Sequence, residues 1–301
     1  MFLTLYYCDR HSIPLPPGHK FPTAKYALVR EALAADGRFE LTEAPFADPR
    51  DIELVHDPAY VRAILDGSVD SRIMRRIGFP WSEQLVRRTL ASVGGTVAAA
   101  RRALASGGVC GNLAGGTHHA FRTEGSGFCV FNDIAVAIHC TRRDGLAARV
   151  AVIDLDVHQG DGTASIFAND ENVLTLSIHG ENNFPFRKQS SRIDFGLPDG
   201  TEDQEYLLVL QQLLPVVWDF QPDLAIYQSG VDALREDRLG RLGLTHQGLL
   251  ERDRVVFAAA KSRGIPLVIT LGGGYAEPVE RTVDAHANTF RTAASVWQVN
   301  S

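Results

Sequence analysis

What most constrains this chain is a unit that recurs along it. A short, continuous apolar run ends in a polar or glycine-rich cluster, and a helical stretch follows. Residues 2–8 form the first run and lead into Pro14-Leu15-Pro16-Pro17-Gly18. Residues 150–153 read Val-Ala-Val-Ile and enter Asp154-Leu155-Asp156-Val157-His158. Residues 173–178 end at His179-Gly180, and 224–227 end at Gln228-Ser229-Gly230-Val231-Asp232. Residues 266–271 end at Gly272-Gly273-Gly274-Tyr275. Apolar runs without alternation, separated by helices, predict an α/β fold: a parallel sheet buried on both faces and flanked by helices. Ligands of such sheets bind outside the carboxyl ends of the strands. The polar clusters fall at those ends, so distant segments are expected to build one site.

Apolar spacing predicts helices near 22–36, 83–105, 203–219 and 245–263. Thr201-Glu202-Asp203-Gln204 reads as a cap for the third, and Thr245 as a cap for the fourth, which Gly264 and Pro266 stop. No repeat or linker divides the chain, so residues 1–301 read as a single domain. With 301 residues, 45% of them hydrophobic, the chain is long enough for a full core.

Charge and cysteine usage narrow the function class. The net charge of −6 argues against a nucleic-acid footprint, which is basic. No apolar run approaches the ~18–20 residues that span a bilayer. Met1-Phe2-Leu3-Thr4-Leu5 lacks a basic stretch and a cleavage site, so no secretory signal is expected. Cys8, Cys110, Cys129 and Cys140 form no CxxC pair, which fits a reduced, cytoplasmic protein.

Four clusters carry chemistry. In an extended segment Asp154, Asp156 and His158 share a face. Carboxylates and an imidazole crowded together need a cation or a donor network. A carboxylate plus an imidazole from this segment is half of a catalytic metal site, and Asp232, at another strand end, suits a third ligand; the alternative is a hydrogen-bonded cluster without metal. His118 and His119 follow Gly115-Gly116, and a glycine turn lets both enter a cleft. The alternative has one capping a helix and the other exposed. Asp154 and Asp161 are candidates to hold the ring nitrogens of that pair. Tyr275 after three glycines suits an oxyanion donor, or a core tyrosine. Phe128, between Gly127 and Cys129, suits a channel wall, or the core. Cys129 reads as buried, since no neighbouring base activates it. No GxGxxG or GxxxxGK[ST] pattern follows a strand, so nucleotide binding has no support. The arginines of 72–76 and Trp81 read as a solvated helix end, with an entrance lining as the alternative.

Together these segments resemble the histone deacetylase family, which includes bacterial deacetylase-like and acetylpolyamine amidohydrolases. The matching motifs are Gly116-Thr117-His118-His119, Gly127-Phe128-Cys129, residues 154–162, Gln228-Ser229-Gly230-Val231-Asp232 and Leu271-Gly272-Gly273-Gly274-Tyr275, in the family's order. Residues 16–22 and 177–185 look most like the class IV group and its bacterial relatives. The glycine run before Tyr275 is one shorter than in class I, and 180–185 lacks that class's Phe-Phe-Pro. Arginases share the fold but carry an Asp-x-His-x-Asp run; position 160 here is Gly, so the second metal site looks incomplete.

The resemblance implies zinc, or Fe(II), on Asp156, His158 and Asp232. It implies paired catalytic histidines His118 and His119, backed by Asp154 and Asp161, and Tyr275 polarising the substrate carbonyl. Gly127 would receive the substrate N–H, with Phe128 and Phe184 as channel walls. A structural K+ or Na+ would sit on the carbonyls of Asp154, Asp156, His158 and Ile178 with the Ser177 hydroxyl. A second would match Phe167, Asp170 and Val173. The implied reaction is hydrolysis of an acylated amine, an acyl-lysine peptide first of all. An acetylpolyamine or small-metabolite amidohydrolase and a non-catalytic acyl-lysine binder are the alternatives. Oligomeric state is not legible.

Overall fold

The computed structural model describes residues 2–299. Its strands are β1 (Leu3–Tyr7), β2 (Phe39–Glu43), β3 (Val109–Asn112), β4 (Val150–Asp154), β5 (Val173–Gly180), β6 (Ile193–Leu197), β7 (Leu224–Gln228) and β8 (Leu267–Thr270). They form one open sheet in the order β2-β1-β3-β8-β7-β4-β5-β6. Every pairing is parallel. The helices are α1 (Ala24–Ala34), α2 (Pro49–Ile52), α3 (Pro58–Asp66), α4 (Ser71–Ile77) and α5 (Glu83–Ser106). They continue as α6 (Asp133–Arg143), α7 (Asp161–Phe167), α8 (Asp203–Asp219), α9 (His246–Ser262) and α10 (Val279–Val296).

The period of two along each strand divides the core. Ala151 and Ile153 of β4, Tyr227 of β7 and Ile269 of β8 pack with α1, α8, α9 and α10. Val150, Val152, Ile226 and Val268 pack on the other side with α5 and α6. Both faces being covered explains the unbroken apolar runs in the central strands. The edge strands β2 and β6 are partly exposed and carry polar residues instead.

Two boundary expectations meet different outcomes. The Thr245 hydroxyl accepts from the Gly248 N–H at 3.0 Å and caps α9. Thr201 does not cap α8: the capping position is Glu202, without a side-chain bond, and the Thr201 hydroxyl donates to the Pro198 carbonyl at 2.8 Å. Asp203, which opens α8, is engaged by the Thr245 hydroxyl at 2.6 Å, so the two helix starts are tied together. The four cysteines are unpaired and buried. Among the described residues no helix is long and apolar enough to cross a membrane.

Topology positions the site. Neighbours β3, β8, β7 and β4 deliver at their carboxyl ends the segments that hold His118–His119, Tyr275, Asp232 and Asp156–His158 respectively. Long α5 packs beneath them, and Gly94 lets it come close to the loop after β2, where the Ala47 N–H donates to the Leu90 carbonyl at 2.9 Å. A Cβ at Gly94 would lie 1.9 Å from the Pro45 carbonyl oxygen. Helix propensity favours alanine over glycine by about 1 kcal/mol, but overpacking against backbone costs about 1–3 kcal/mol or more. Gly94→Ala is therefore expected to destabilise the fold, read as a lowered urea midpoint; a raised midpoint would show that α5 has room to shift.

Candidate active site

After β3 the chain turns at Gly115 and Gly116, both with positive φ (75° and 77°). The Asp133 carboxylate fastens this turn, accepting from the Gly116 N–H at 3.1 Å and the Thr117 N–H at 2.7 Å. His118 and His119 then lie side by side with ring centroids 4.1 Å apart and planes tilted by 47°, and both are buried. His118 Nδ1 lies 2.7 Å from Asp154 Oδ2, and His119 Nδ1 lies 2.6 Å from Asp161 Oδ1. Each carboxylate accepts the Nδ1 proton, which leaves Nε2 of each ring for other partners. Burial opposes charge on His118, but Asp154 and then Asp156 outweigh it and lift the imidazole to about 9. For His119, burial and the neighbouring His118 push the other way, to about 4.

Asp154, Asp156 and His158 do not share one extended face. The strand ends at Asp154 and the next residues bend. The bend comes from side-chain–backbone bonds: Asp154 Oδ1 accepts from the Asp156 N–H at 3.2 Å, and Asp156 Oδ1 from the His158 N–H at 3.0 Å. Asp154 thereby faces His118, while Asp156 and His158 meet Asp232. One ligand atom from each of Asp156, His158 and Asp232 lies within 4.8 Å of the others. His158 Nδ1 is 3.0 Å from Asp156 Oδ1 and 3.1 Å from Asp232 Oδ2.

Both carboxylates are almost fully enclosed, with Asp156 1% and Asp232 0% exposed. Burial, then Asp156, raises Asp232 to about 7. Two acids this close and this dry need a shared positive charge. The surrounding backbone is cut to fit them. A Cβ at Gly273 would lie 1.9 Å from Asp232 Oδ2, and one at Gly230 would lie 2.1 Å from Asp156 Oδ2. The Gly273 N–H donates to Asp156 Oδ2 at 2.8 Å, and the Val157 N–H to Asp232 Oδ1 at 2.9 Å. Two carboxylates and one imidazole, each carboxylate steadied by an N–H, fit an open catalytic divalent site.

These residues form the floor of a cavity of about 410 Å³ that also takes in Tyr275, Phe128 and Phe184. The Phe184 ring lies 4.9 Å from His119, and Phe128 lies 6.1 Å from Tyr275. Phe128 adopts φ 64°, a left-handed conformation that costs energy for a side chain this large. Its N–H donates to the Ile77 carbonyl at 2.7 Å, and Phe21 and Phe79 stand behind its ring, each 5.3 Å away. Gly127 lines the cavity beside His119 and Phe184. Cys129 is buried, and burial raises its thiol well above the usual range. Asp154 pairs in register with Ser177, so the β4 end and the Ser177–Ile178 stretch of β5 run side by side. Near the end of α7, the Phe167 carbonyl accepts from Asp170 at 3.0 Å and the Asp170 carbonyl from Val173 at 3.1 Å. The Asp170 carboxylate there is ion-paired with Arg142.

Residues 19–290 match the histone deacetylase domain. The chain belongs to the histone deacetylase family. It is 43% identical over 300 residues to an uncharacterized protein of Picosynechococcus sp., covering 98% of this chain and 99% of that one. It is 32% identical over 286 residues to histone deacetylase 2 of Arabidopsis thaliana, covering 88% and 72%. Its backbone matches the crystal structure of an acetylpolyamine aminohydrolase from Burkholderia pseudomallei with TM-score 0.81 at 22% identity, covering 98% and 99%. The chain is thus an enzyme of the deacetylase type, a family of hydrolases that act on acetylated amines and are generally zinc-dependent.

Several residues that hold this site gave no sequence signal. Lys25 of α1 is wholly buried, and its ammonium donates to the carbonyls of Gly272 at 3.1 Å and Gly274 at 3.3 Å. It also sits 5.2 Å over the Tyr275 ring. Arg252 of α9, equally buried, donates to the carbonyls of Gly230 at 2.7 Å, Ser229 at 3.2 Å and Leu155 at 3.3 Å. Asp237 accepts from the Tyr275 N–H at 2.6 Å. Arg76 of α4 lines the cavity, against the reading of 72–76 as solvated surface alone; Trp81 instead donates to the Ile64 carbonyl at 2.8 Å. Only the fold brings these groups to the site. Lys25→Met leaves two buried carbonyls without a donor, at a cost of about 1–3 kcal/mol. The expected outcome is a lower urea midpoint, and an unchanged midpoint would show that water replaces the ammonium.

Proposed function

We propose that this enzyme hydrolyses the side-chain amide of acylated lysine in peptides, with Asp156, His158 and Asp232 holding a zinc ion. The observation that carries the reading is the convergence of those three ligand atoms on the floor of an aromatic-walled cavity, next to the paired histidines. Fe(II) suits the same donors. When bound, the ion supplies Lewis acidity toward a carbonyl oxygen and water.

The chain's own groups account for the rest. Phe128 and Phe184 flank an apolar lysine stem, and the Gly127 carbonyl accepts the amide N–H. His119, held by Asp161, takes a proton from the attacking water as its oxygen bonds to the acyl carbon. The C–N bond then breaks, and a proton from the histidine pair goes to the leaving amine. His118, held by Asp154, stabilises the charge that develops. Tyr275 donates its hydroxyl proton in a hydrogen bond to the oxyanion. A monovalent cation on the carbonyls of Asp154, Asp156, His158 and Ile178 with the Ser177 hydroxyl would fix the β4 end. Phe167, Asp170 and Val173 offer carbonyls for a second. The same cavity is also lined by the apolar Ile13, Leu85 and Val93, which supports acceptance of acyl groups longer than acetyl.

The test is hydrolysis of one lysine peptide carrying acetyl, octanoyl or myristoyl, by zinc-loaded enzyme with and without chelator. Chelator-sensitive turnover is expected; turnover of acetylpolyamines but of none of the three peptides would overturn the lysine reading. Losing one oxyanion donor costs about 100-fold or more in turnover. Tyr275→Phe is expected to show that loss with the metal retained, and near-normal turnover would remove Tyr275 from the mechanism.

A further inference from the structure

The mouth of the cavity has a charge character that the catalytic floor does not explain. Among the described residues lining the cavity, the only carboxylates are Asp156 and Asp232, whereas three arginines line it. Arg88 is deep, 4.0 Å over the Tyr26 ring. Arg76 and Arg241 are at the rim, with side chains 53% and 54% exposed.

The two rim arginines belong to opposite walls. The Arg76 carbonyl accepts from the Gly127 N–H at 3.1 Å, which joins it to the Phe128 wall. Arg241 lies two residues beyond Leu239, whose carbonyl accepts from Asn183 at 2.8 Å, which joins it to the Phe184 wall. Their partners, Glu124 and Asp199, stand outside the lining, and each pair uses one Nη1 of its guanidinium. The loop beyond Phe184 adds to the same sign. Phe186 is 85% exposed and extends the aromatic wall outward, 6.4 Å from Phe184. Arg187, next to it, has no ion-pair partner among the described residues. Lys188 clamps the loop through the carbonyls of Glu181 (3.1 Å), Asn183 (2.7 Å) and Pro185 (2.6 Å). Glu181 packs its Cβ toward Gly196 and does not line the cavity.

An acetylpolyamine would bring cationic amines to this mouth, next to Arg76 and Arg241. A peptide with Asp or Glu beside the acylated lysine would bring the complementary charge. We infer that the rim selects acidic acyl-lysine peptides and disfavours cationic acyl amines. This rests on the deacylase reading above and names its substrate class.

The experiment compares kcat/KM of the zinc-loaded enzyme on acetyl-lysine peptides of one length flanked by Asp, Ala or Arg, and on N-acetylspermidine. A cleft lined by one sign of charge changes capture rates about tenfold or more at low ionic strength. The acidic peptide is expected to exceed the basic one by about that factor, and the ratio should shrink in about 0.5 M salt, where exposed charges are screened. In the double variant R76Q/R241Q the ratio should approach one. Turnover of the Ala-flanked peptide with no charge preference, or with a preference for the Arg-flanked peptide or N-acetylspermidine, overturns the inference and leaves a deacylase. No turnover of any peptide, the Ala-flanked one included, overturns the lysine-deacylase reading and the inference with it.

Discussion

Two carboxylates that should repel each other sit side by side in a dry interior, and much of the molecule is arranged around them. Asp156 and Asp232 come from different strand ends, and both are enclosed. Both are steadied by backbone N–H groups, Asp232 through Oδ1 and Asp156 through both oxygens, and Asp156 Oδ1 and Asp232 Oδ2 turn toward the same imidazole nitrogen of His158. Bare, such a pair is costly; with a positive charge shared between them it becomes a rigid cation site. Gly230 and Gly273 leave no room for any side chain against these oxygens, so the backbone itself walls the pair. The proposed divalent ion is the charge this arrangement fits.

Holding the pair requires loops from several strands to stay in place, and two buried cations do much of that. Arg252 reaches from α9 to carbonyls at the ends of β4 and β7. Lys25 reaches from α1 to carbonyls of the loop after β8. Each satisfies carbonyls that a parallel sheet leaves unpaired at its carboxyl edge, and each adds a positive charge behind the acids. Asp133 does the complementary task for the loop after β3, accepting N–H groups instead. The site is thus fixed from beneath by ionic groups that never enter its cavity, apart from contact with the loops they hold.

How much of this was legible follows from burial. The central strands β4, β5, β7 and β8 are covered on both faces, so their apolar runs stand out in the sequence. Edge strands β2 and β6 are partly exposed, and their Phe39-Glu-Leu-Thr-Glu43 and Ile193-Asp-Phe-Gly-Leu197 carry no such signal. β3 is buried but reads Val-Cys-Gly-Asn, too short and too small in its side chains to be noticed. Helix α10 was missed because its buried face is built of Ala, Thr and His more than of large apolar residues. The clusters with chemistry were visible because several unusual residues fall together in sequence. Lys25, Arg252 and Asp237 were not, since each acts alone and across the fold. The extended-face reading of 154–158 failed because backbone bonds to Asp154 and Asp156 bend the chain, a local competition that alternation cannot reveal.

Everything in the proposed chemistry depends on Asp156, His158 and Asp232 together binding one divalent ion. The most direct measurement is metal content after stripping with chelator, reloading with zinc and removing the excess, for the native chain and for Asp232→Asn. One zinc per native chain and its loss in the variant are expected, with the fold retained by circular dichroism. Two ions per native chain, or one ion still held by Asp232→Asn, would contradict it.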